Sequence, residues 1–329
     1  MAQANTYGDG SVLNREDLRD LITLVEPEKF PITSMASKAP SARAMYVEWG
    51  LDALNAPDYS ARAEGADVTE HDDPSKNRKR IGNYIQKLQR TWSVTKEMAL
   101  VQTAGIKDEI ANAKMRSVRE LKRDFEALIS SDQEMDGNNP QELRGLGKWI
   151  DNAAQATNPV PDAYRTPSAS IDTTATGSLT DGTIGAVIQS VYEETGEPST
   201  SFKLVCGPRL RSAITGLQRA VGATPYQVTD DAKMHEINLR VDEYYSDFGT
   251  IFVMPSVFLG RTSGVAGLTA ESRARGYLLD MDSIEVLELD AMSGYEQKDE
   301  GAGRRGYAEY LATLCVKSPL KLGKFAATA

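Results

Sequence analysis

The sequence predicts an α+β fold, and three observations carry that expectation. Apolar residues recur at helical spacing in some stretches and cluster in short β-branched and aromatic runs in others. In the second half of the chain the two kinds alternate, with no internal repeat. The 329 residues are 40% hydrophobic and 26% charged, which provides for a sizeable core and excludes a disordered or collagen-like chain.

Taken in order, residues 1–45 read as a mixed arm. Asn14 is a good N-cap with Asp17 in the capping-box position, and Leu18, Leu21, Ile22 and Val25 follow at helical spacing. Pro27 ends that helix, and Pro31 and Pro40 are expected to keep the next stretch extended. One short helix among Gly, Pro and Ser cannot make its own core. Its apolar face must be covered by the body of the chain or by a neighbouring copy.

Met45–Trp49 and Arg90–Val94 have strand composition. Between them Ile81, Tyr84, Ile85 and Leu88 also fit a helical stripe, so periodicity leaves that piece open. The charge layout is clearer. Asp58, Glu64, Asp67, Glu70, Asp72 and Asp73 are opposed only by Arg62; then come Lys76, Arg78, Lys79, Arg80, Lys87 and Arg90, with no acid from Pro74 to Lys96. An acidic arm followed by a basic arm reads as a long, poorly buried hairpin. It is either a solvated loop or an intermolecular contact element whose two signs match different neighbours. On the second reading Asp67, Glu70, Asp72, Asp73, Lys76, Arg78, Lys79 and Arg80 are the candidate inter-subunit contacts.

From Val94 to about Ser131 the pattern is helical, with Ile106, Ile110, Val118, Leu121, Phe125, Leu128 and Ile129 on one stripe. Arg116 with Glu120 and Lys122 with Glu126 are expected as i,i+4 ion pairs. At about 1.5 Å per residue this would be a rod of roughly 50 Å, a spine. Its basic residues Lys114, Arg116, Arg119, Lys122 and Arg123 are interleaved with Glu120, Asp124 and Glu126, so a solvated face is expected rather than a phosphate track. After a Gly/Asn/Pro loop at 136–140 comes Leu143–Ile150, and the Ser/Thr/Asp/Gly-rich residues 166–183 are the best candidate for a domain boundary. Ile184, Val187, Ile188, Val191 and Tyr192 mark a helix ending near Gly196; Phe202–Cys206 is a buried strand broken by Gly207-Pro208; Leu210, Ile214 and Leu217 suggest another helix. Ile237–Val241 and Thr250–Val253 read as a strand pair, with further strands at Tyr277–Leu279, Ile284–Leu289 and Tyr307–Val316.

The chemistry tests fail one after another. A formal net charge of −10 speaks against a dedicated nucleic-acid-binding domain. Cys206 and Cys315 make no disulfide framework and read as core residues, and with His71 and His235 they show no zinc-ligand spacing. There is no secretory signal and no apolar run near the roughly 20 residues that span a bilayer, so the chain reads as soluble and intracellular, with no membrane partner. Gly301–Gly306 matches G-x-G-x-x-G but lacks the strand before it and the helix after it that a dinucleotide site needs, so a glycine loop between strands is expected. Asp132–Gly137 resembles the start of a calcium loop, yet Leu143 stands where the bidentate Glu belongs. Ser263 is not in a nucleophile elbow, His71 lies in the most charged stretch, and no P-loop is present. No catalytic, metal or cofactor residue is assigned.

Three stretches carry a resemblance. They are Arg15-Glu-Asp-Leu18 with Glu26-Pro27 and Phe30-Pro31; Arg80-Ile-Gly-Asn-Tyr-Ile85 leading through Trp92-Ser-Val-Thr95 to Ala104-Gly105; and Glu120-Leu-Lys-Arg-Asp-Phe-Glu126 followed by Arg144-Gly-Leu-Gly-Lys-Trp-Ile150. In these motifs, and in its order of arm, hairpin, spine helix, α/β module and terminal strands, the chain resembles the major capsid proteins of tailed bacteriophages, the Hong Kong 97-type fold. The resemblance implies an N-arm at 1–45, an extended loop at 46–93, a peripheral domain at 94–150 with 276–329, and an axial domain at 151–275. It implies no enzyme but a structural protein, assembled in the host bacterial cytoplasm into pentamers and hexamers of an icosahedral head around double-stranded DNA, which it contacts non-specifically. Portal, scaffolding and decoration proteins are the implied partners. The chain starts almost at the arm, so a separate scaffolding protein is expected. An encapsulin-type nanocompartment shell shares the fold and is the structural alternative, beside a phage tail or head-completion protein; a soluble hydrolase using His235 is the alternative of a different class.

Overall fold

The structure, a computed structural model, describes residues 30–69, 71–101, 106, 108–196, 202–220, 243–246, 248–259, 270–298 and 303–326. The expected helix after Asn14, Glu70, His235, the 237–241 strand, Ser263 and Gly301–Ala302 lie outside the described residues.

The chain enters through helix α1 (Pro31–Met35) and the two-residue strand β1 (Ser37–Lys38). Pro31 does not keep the backbone extended as expected; it opens the helix, a position where its missing N–H and fixed φ cost nothing. Strands β2 (Tyr46–Leu51) and β3 (Lys79–Tyr84) pair antiparallel, and β4 (Gln86–Thr95) follows directly. The ambiguous 81–88 stretch is therefore strand, with Ile81 and Ile85 buried.

The spine is shorter than the sequence suggests. Thr95 caps a single turn, α2 (Lys96–Leu100), by accepting from the Met98 amide at 3.3 Å. The long helix α3 (Glu109–Ile129) starts afresh at Asp108, whose carboxylate accepts from the Ile110 and Ala111 amides at 2.9 and 3.2 Å. Two N-caps start two helices where one apolar stripe suggested a single rod. Twenty-one residues make α3 about 32 Å long rather than 50 Å.

Helix α4 (Leu146–Trp149) and strand β5 (Ile171–Asp172) precede α5 (Asp181–Thr195), which is closed by Gly196 in the left-handed conformation at φ 67°. Then come β6 (Phe202–Cys206), α6 (Pro208–Ala220), β7 (Glu243–Ser246), β8 (Gly249–Pro255), α7 (Ala270–Ala274), β9 (Arg275–Asp280), β10 (Ile284–Glu296), β11 (Gly303–Val316) and β12 (Gly323–Ala326). The Thr250–Val253 strand pairs antiparallel with Glu243–Ser246 on one side and parallel with β6 on the other.

Two main sheets result. One has the order β1-β10-β11-β4, and the Leu121, Phe125 and Ile129 face of α3 packs with its Ala308, Tyr310, Ala312 and Leu314. The other has the order β5-β12-β9-β6-β8-β7 and packs with α5 and α6 through Ile184, Val187, Val191, Leu210 and Ile214. The Ser/Thr-rich 166–183 stretch is woven into this second sheet: Ile171 pairs with Lys324, and the Thr166 hydroxyl donates to the Pro319 carbonyl at 2.8 Å. The two sheets meet at the end of the spine. Tyr277 donates to the Ser130 carbonyl at 3.1 Å, and Asp132 takes ion pairs from Arg275 and, at 3.3 Å, Lys324. Asp132, the first residue of the calcium-like stretch, is thus committed to two cations of the neighbouring sheet.

Within the glycine motif, Gly303–Gly306 is strand β11 rather than loop. Gly306 is there because a Cβ would stand 2.4 Å from the Trp92 ring and 2.4 Å from the Tyr295 carbonyl oxygen. Cys206 and Cys315 are buried, and burial pushes both thiols up to about 12.

Candidate functional site

The charge-split hairpin is the most exposed part of the described chain. Every described residue from Asp52 to Lys76 is exposed, including Leu54 at 97%, Tyr59 at 92% and Val68 at 73%. Large apolar side chains held in water over such a length are unusual for a chain that acts alone. The loop is shaped by short-range bonds. Asp73 accepts from the Ser75 amide and hydroxyl at 2.8 and 2.7 Å, which holds its carboxyl below the usual range; Asp58 does the same with Ser60. The Asn77 amide group donates to the Ala53 carbonyl at 3.0 Å and to Asn55 Oδ1 at 2.9 Å, which closes the stem.

The eight predicted contact residues divide. Arg78 pairs with Asp52 at 3.0 Å and Arg80 with Glu48 at 3.6 Å, so half of the basic cluster is engaged across the hairpin's own stem. Lys76 and Lys79 are exposed and form no ion pair among the described residues. Asp72 accepts from Asn55 Nδ2 at 3.4 Å, Asp73 serves its local turn, and Asp67 is exposed. Glu70 lies outside the described residues. His71 is exposed, as expected of a histidine in this stretch.

At its base the hairpin is fixed rigidly. Asn83 is fully buried; its side chain donates to the Arg144 and Leu314 carbonyls at 3.2 and 2.9 Å and accepts from the Arg144 and Tyr84 amides at 2.8 and 3.0 Å. Arg144 is itself buried, pairs with Glu134 at 2.9 Å, donates to the carbonyls of Thr157 and Asn158, and stacks 4.9 Å from the Trp149 ring centroid. Burial pulls the Arg144 guanidinium below its usual value, with Glu134 opposing. Trp49 of β2 donates to the Val316 carbonyl at 3.0 Å and lies 5.7 Å from Trp149. None of these roles was visible in the sequence. Asn83 and Arg144 are 61 residues apart and show no periodicity of their own. An exposed loop on a rigid base can be presented to a partner in one direction.

The arm is fixed by Glu126. The sequence pairs it with Lys122, but Glu126 is fully buried and bonded to α1 while Lys122 is exposed. It accepts from the Ile32 and Thr33 amides, both at 2.9 Å, and from the Thr33 hydroxyl, thereby capping α1 from a different helix. The α1 N–H groups need an acceptor that Phe30, at the N-cap, does not have. The other expected pair, Arg116 with Glu120, is present at 3.0 Å.

Among the described residues no group of three His, Cys, Asp or Glu side chains could hold a metal ion, and no helix is long and apolar enough to cross a membrane.

A family model described as SU10 major capsid protein matches residues 3–329. No curated protein sequence matches the chain. Among solved structures, the capsid of cyanophage A-1(L) superposes with a TM-score of 0.69 at 11% identity, covering 96% of this chain and 97% of that one. The mature capsid of bacteriophage PhiM1 gives 0.64 at 12% identity, covering 100% and 97%. The SrpI encapsulin of Synechococcus elongatus PCC 7942 gives 0.56 at 10% identity, covering 99% and 96%. At such identities the superpositions establish the fold, which is the Hong Kong 97-like α+β architecture.

Proposed function

The chain belongs to the SU10 major capsid protein family, a structural and non-enzymatic family of the phage virion, and from that premise we propose that its copies close into pentamers and hexamers of an icosahedral head around double-stranded DNA. Each subunit would meet its neighbours through heterologous contacts, which close into rings when the rotation between copies allows it. Many weak contacts per subunit make a stable shell while each remains reversible during assembly.

The observation that carries this reading is the hairpin. Residues 52–76 keep Leu54, Tyr59 and Val68 in water on a rigidly based stem, an arrangement that makes sense once a neighbouring copy covers them. We assign residues 1–45 to an N-arm, 46–93 to the extended loop, 94–150 with 276–329 to a peripheral domain, and 151–275 to an axial domain around the capsomer axis. The four-stranded sheet with α3 supports the peripheral unit, and α5, β6, α6 and β8 support the axial one. Strands β9 and β12 stitch the second sheet to the peripheral segment. Portal, scaffolding and decoration proteins are the further partners in this reading, with assembly in the host cytoplasm.

Within the hairpin's basic cluster, Lys76 and Lys79 form no ion pair among the described residues while Arg78 and Arg80 do, so these two lysines are the ones left for a neighbour's acidic arm. Lys76→Glu with Lys79→Glu should therefore abolish closed shells in electron micrographs while the thermal melting of the soluble subunit stays within a degree or two. Normal shells from the double variant would remove these lysines from the contact.

A further inference from the structure

The hairpin carries a side chain shaped to be received, and its own base carries a place to receive one. Tyr59 stands 92% exposed on the loop. It is the middle residue of a turn in which Asp58 Oδ1 accepts from the Ser60 amide at 2.9 Å, and Arg62 pairs with Asp58 at 3.5 Å, so the ring is presented from a closed turn rather than from slack chain. Of the large apolar side chains exposed on the loop, Leu54, Tyr59 and Val68, it alone ends in a hydrogen-bond donor.

At the far end of the stem, Met45 and Ile85 are bonded backbone to backbone at 2.8 Å and close its base. There a groove of about 450 Å³ opens between the first residues of β4 and the 137–142 loop, with apolar lining from Met45, the fully buried Ile85 and Pro140. The loop is fixed before any occupant arrives. Asp136 and Glu142 exchange backbone bonds at 3.1 and 2.9 Å, and Asp136 Oδ1 accepts from the Asn138 amide at 2.9 Å, so filling the groove costs little ordering. Neighbouring polar groups are already engaged: Gln86 Oε1 accepts from Gln133 Nε2 and the Leu143 amide, both at 3.0 Å, and Lys87 pairs with Glu309 at 2.8 Å. Gln141 differs. Its side-chain oxygen is buried and accepts from no group among the described residues. An unpaired buried acceptor is costly, so an occupant that brings a donor is favoured over one that brings apolar surface alone.

We propose that Tyr59 of one copy fills this groove on the next, its ring against Met45, Ile85 and Pro140 and its hydroxyl donating to Gln141 Oε1. A tyrosine offers on the order of 150–250 Å² for burial, with its donor at the far end. The occupant comes from a second copy, because the six-residue strands of the stem hold about 20 Å between the groove and the start of the loop, and Tyr59 stands in water in its own subunit. The contact joins the loop of one hairpin to the base of the next. Two different surfaces meet, so it is heterologous and repeats around a ring in one direction. It rests on the assembly reading above and gives the exposed loop its seat.

The test uses full-length subunits carrying Tyr59→Cys or Gln89→Cys, Gln89 being an exposed residue of the groove; the native Cys206 and Cys315 are buried. Co-assembled and oxidised, the two variants should give a disulfide-linked dimer that neither gives alone. The double variant should give a ladder of linked copies; an internally linked monomer would seat the loop in its own groove and overturn the proposal. In a second arm, light scattering reads the concentration at which particles form. Tyr59→Ala should raise it at least ~10-fold and Tyr59→Phe about 5-fold, with subunit melting unchanged because Tyr59 is exposed. In Gln141→Leu subunits Tyr59→Phe should add nothing, and an equal effect in both backgrounds would place the hydroxyl elsewhere and overturn the proposal. Wild-type particles with no mixed dimer, or Tyr59 variants that assemble as the wild type does, would overturn it and leave the assembly reading standing. A wild-type chain that never forms particles would overturn both.

Discussion

Glu126 is an ionisable group placed where a core residue would sit, and its environment sets a definite pH dependence. Burial holds its carboxyl above the usual glutamate range, against the pull of its bonds from Thr33 and Ile32. A carboxyl with a higher pKa folded than unfolded gives stability that is fully present below the ordinary glutamate pKa and is lost as pH rises through the raised one. Glu126→Gln cannot titrate. The melting temperature of the wild type relative to this variant should therefore be higher at about pH 5 than at about pH 8, and a flat or reversed difference would refute the burial argument. Glu126→Ala leaves two amides and a hydroxyl of α1 without an acceptor and should cost about 1–3 kcal/mol by urea unfolding. Asn83 is the other residue on which several backbone groups depend. Asn83→Ala unpairs buried carbonyls and amides of Arg144, Leu314 and Tyr84 together, and a loss of about 3 kcal/mol is expected, with the m-value unchanged. Neither role is legible in the sequence, since i,i+4 spacing gave Glu126 to Lys122, and Asn83 stands in a family-like motif that says nothing of its partners. Both depend on partners brought from tens to hundreds of residues away.

At the scale of elements, the sequence is informative where one face of one element meets the core. The α5 helix, its Gly196 stop and the β6 strand all stand where spacing and composition placed them, and the strands expected at 277–279, 284–289 and 307–316 are present within the longer strands 275–280, 284–296 and 303–316. The reading falters where local signals compete. A continuous apolar stripe suggested one long rod, but capping by Thr95 and Asp108 splits it into α2 and α3. Residues 81–88 fitted helix and strand equally well, and pairing of Lys79–Tyr84 with β2 decides for strand. The glycine motif that invited a nucleotide reading is a packing device at Gly306. Gly306→Ala would press a methyl group onto Trp92 and Tyr295, and should lower the unfolding free energy by about 1–3 kcal/mol, most visibly as a changed Trp92 fluorescence. The hairpin's exposure and charge split were legible because they require no partner. The internal pairing of Arg78 and Arg80 was not, since Asp52 and Glu48 come from the far strand of the stem.

At the scale of the whole molecule, the two sheets share the end of the spine, where Tyr277, Arg275 and Lys324 converge on Ser130 and Asp132. The hairpin projects from a base pinned by Asn83, Arg144 and Trp49, and the arm enters through the Glu126 clamp. A body fixed at these points with one long exposed loop is suited to repeated, directional contact with copies of itself. The measurement that tests this most directly is electron microscopy, with particle mass, of the chain expressed alone and with its neighbouring genes. Closed icosahedral shells tens of nanometres across, resolving into pentamers and hexamers with residues 52–76 covered by an adjacent subunit, are the predicted result. A uniform small oligomer under every condition, with that loop still in solvent, would contradict it.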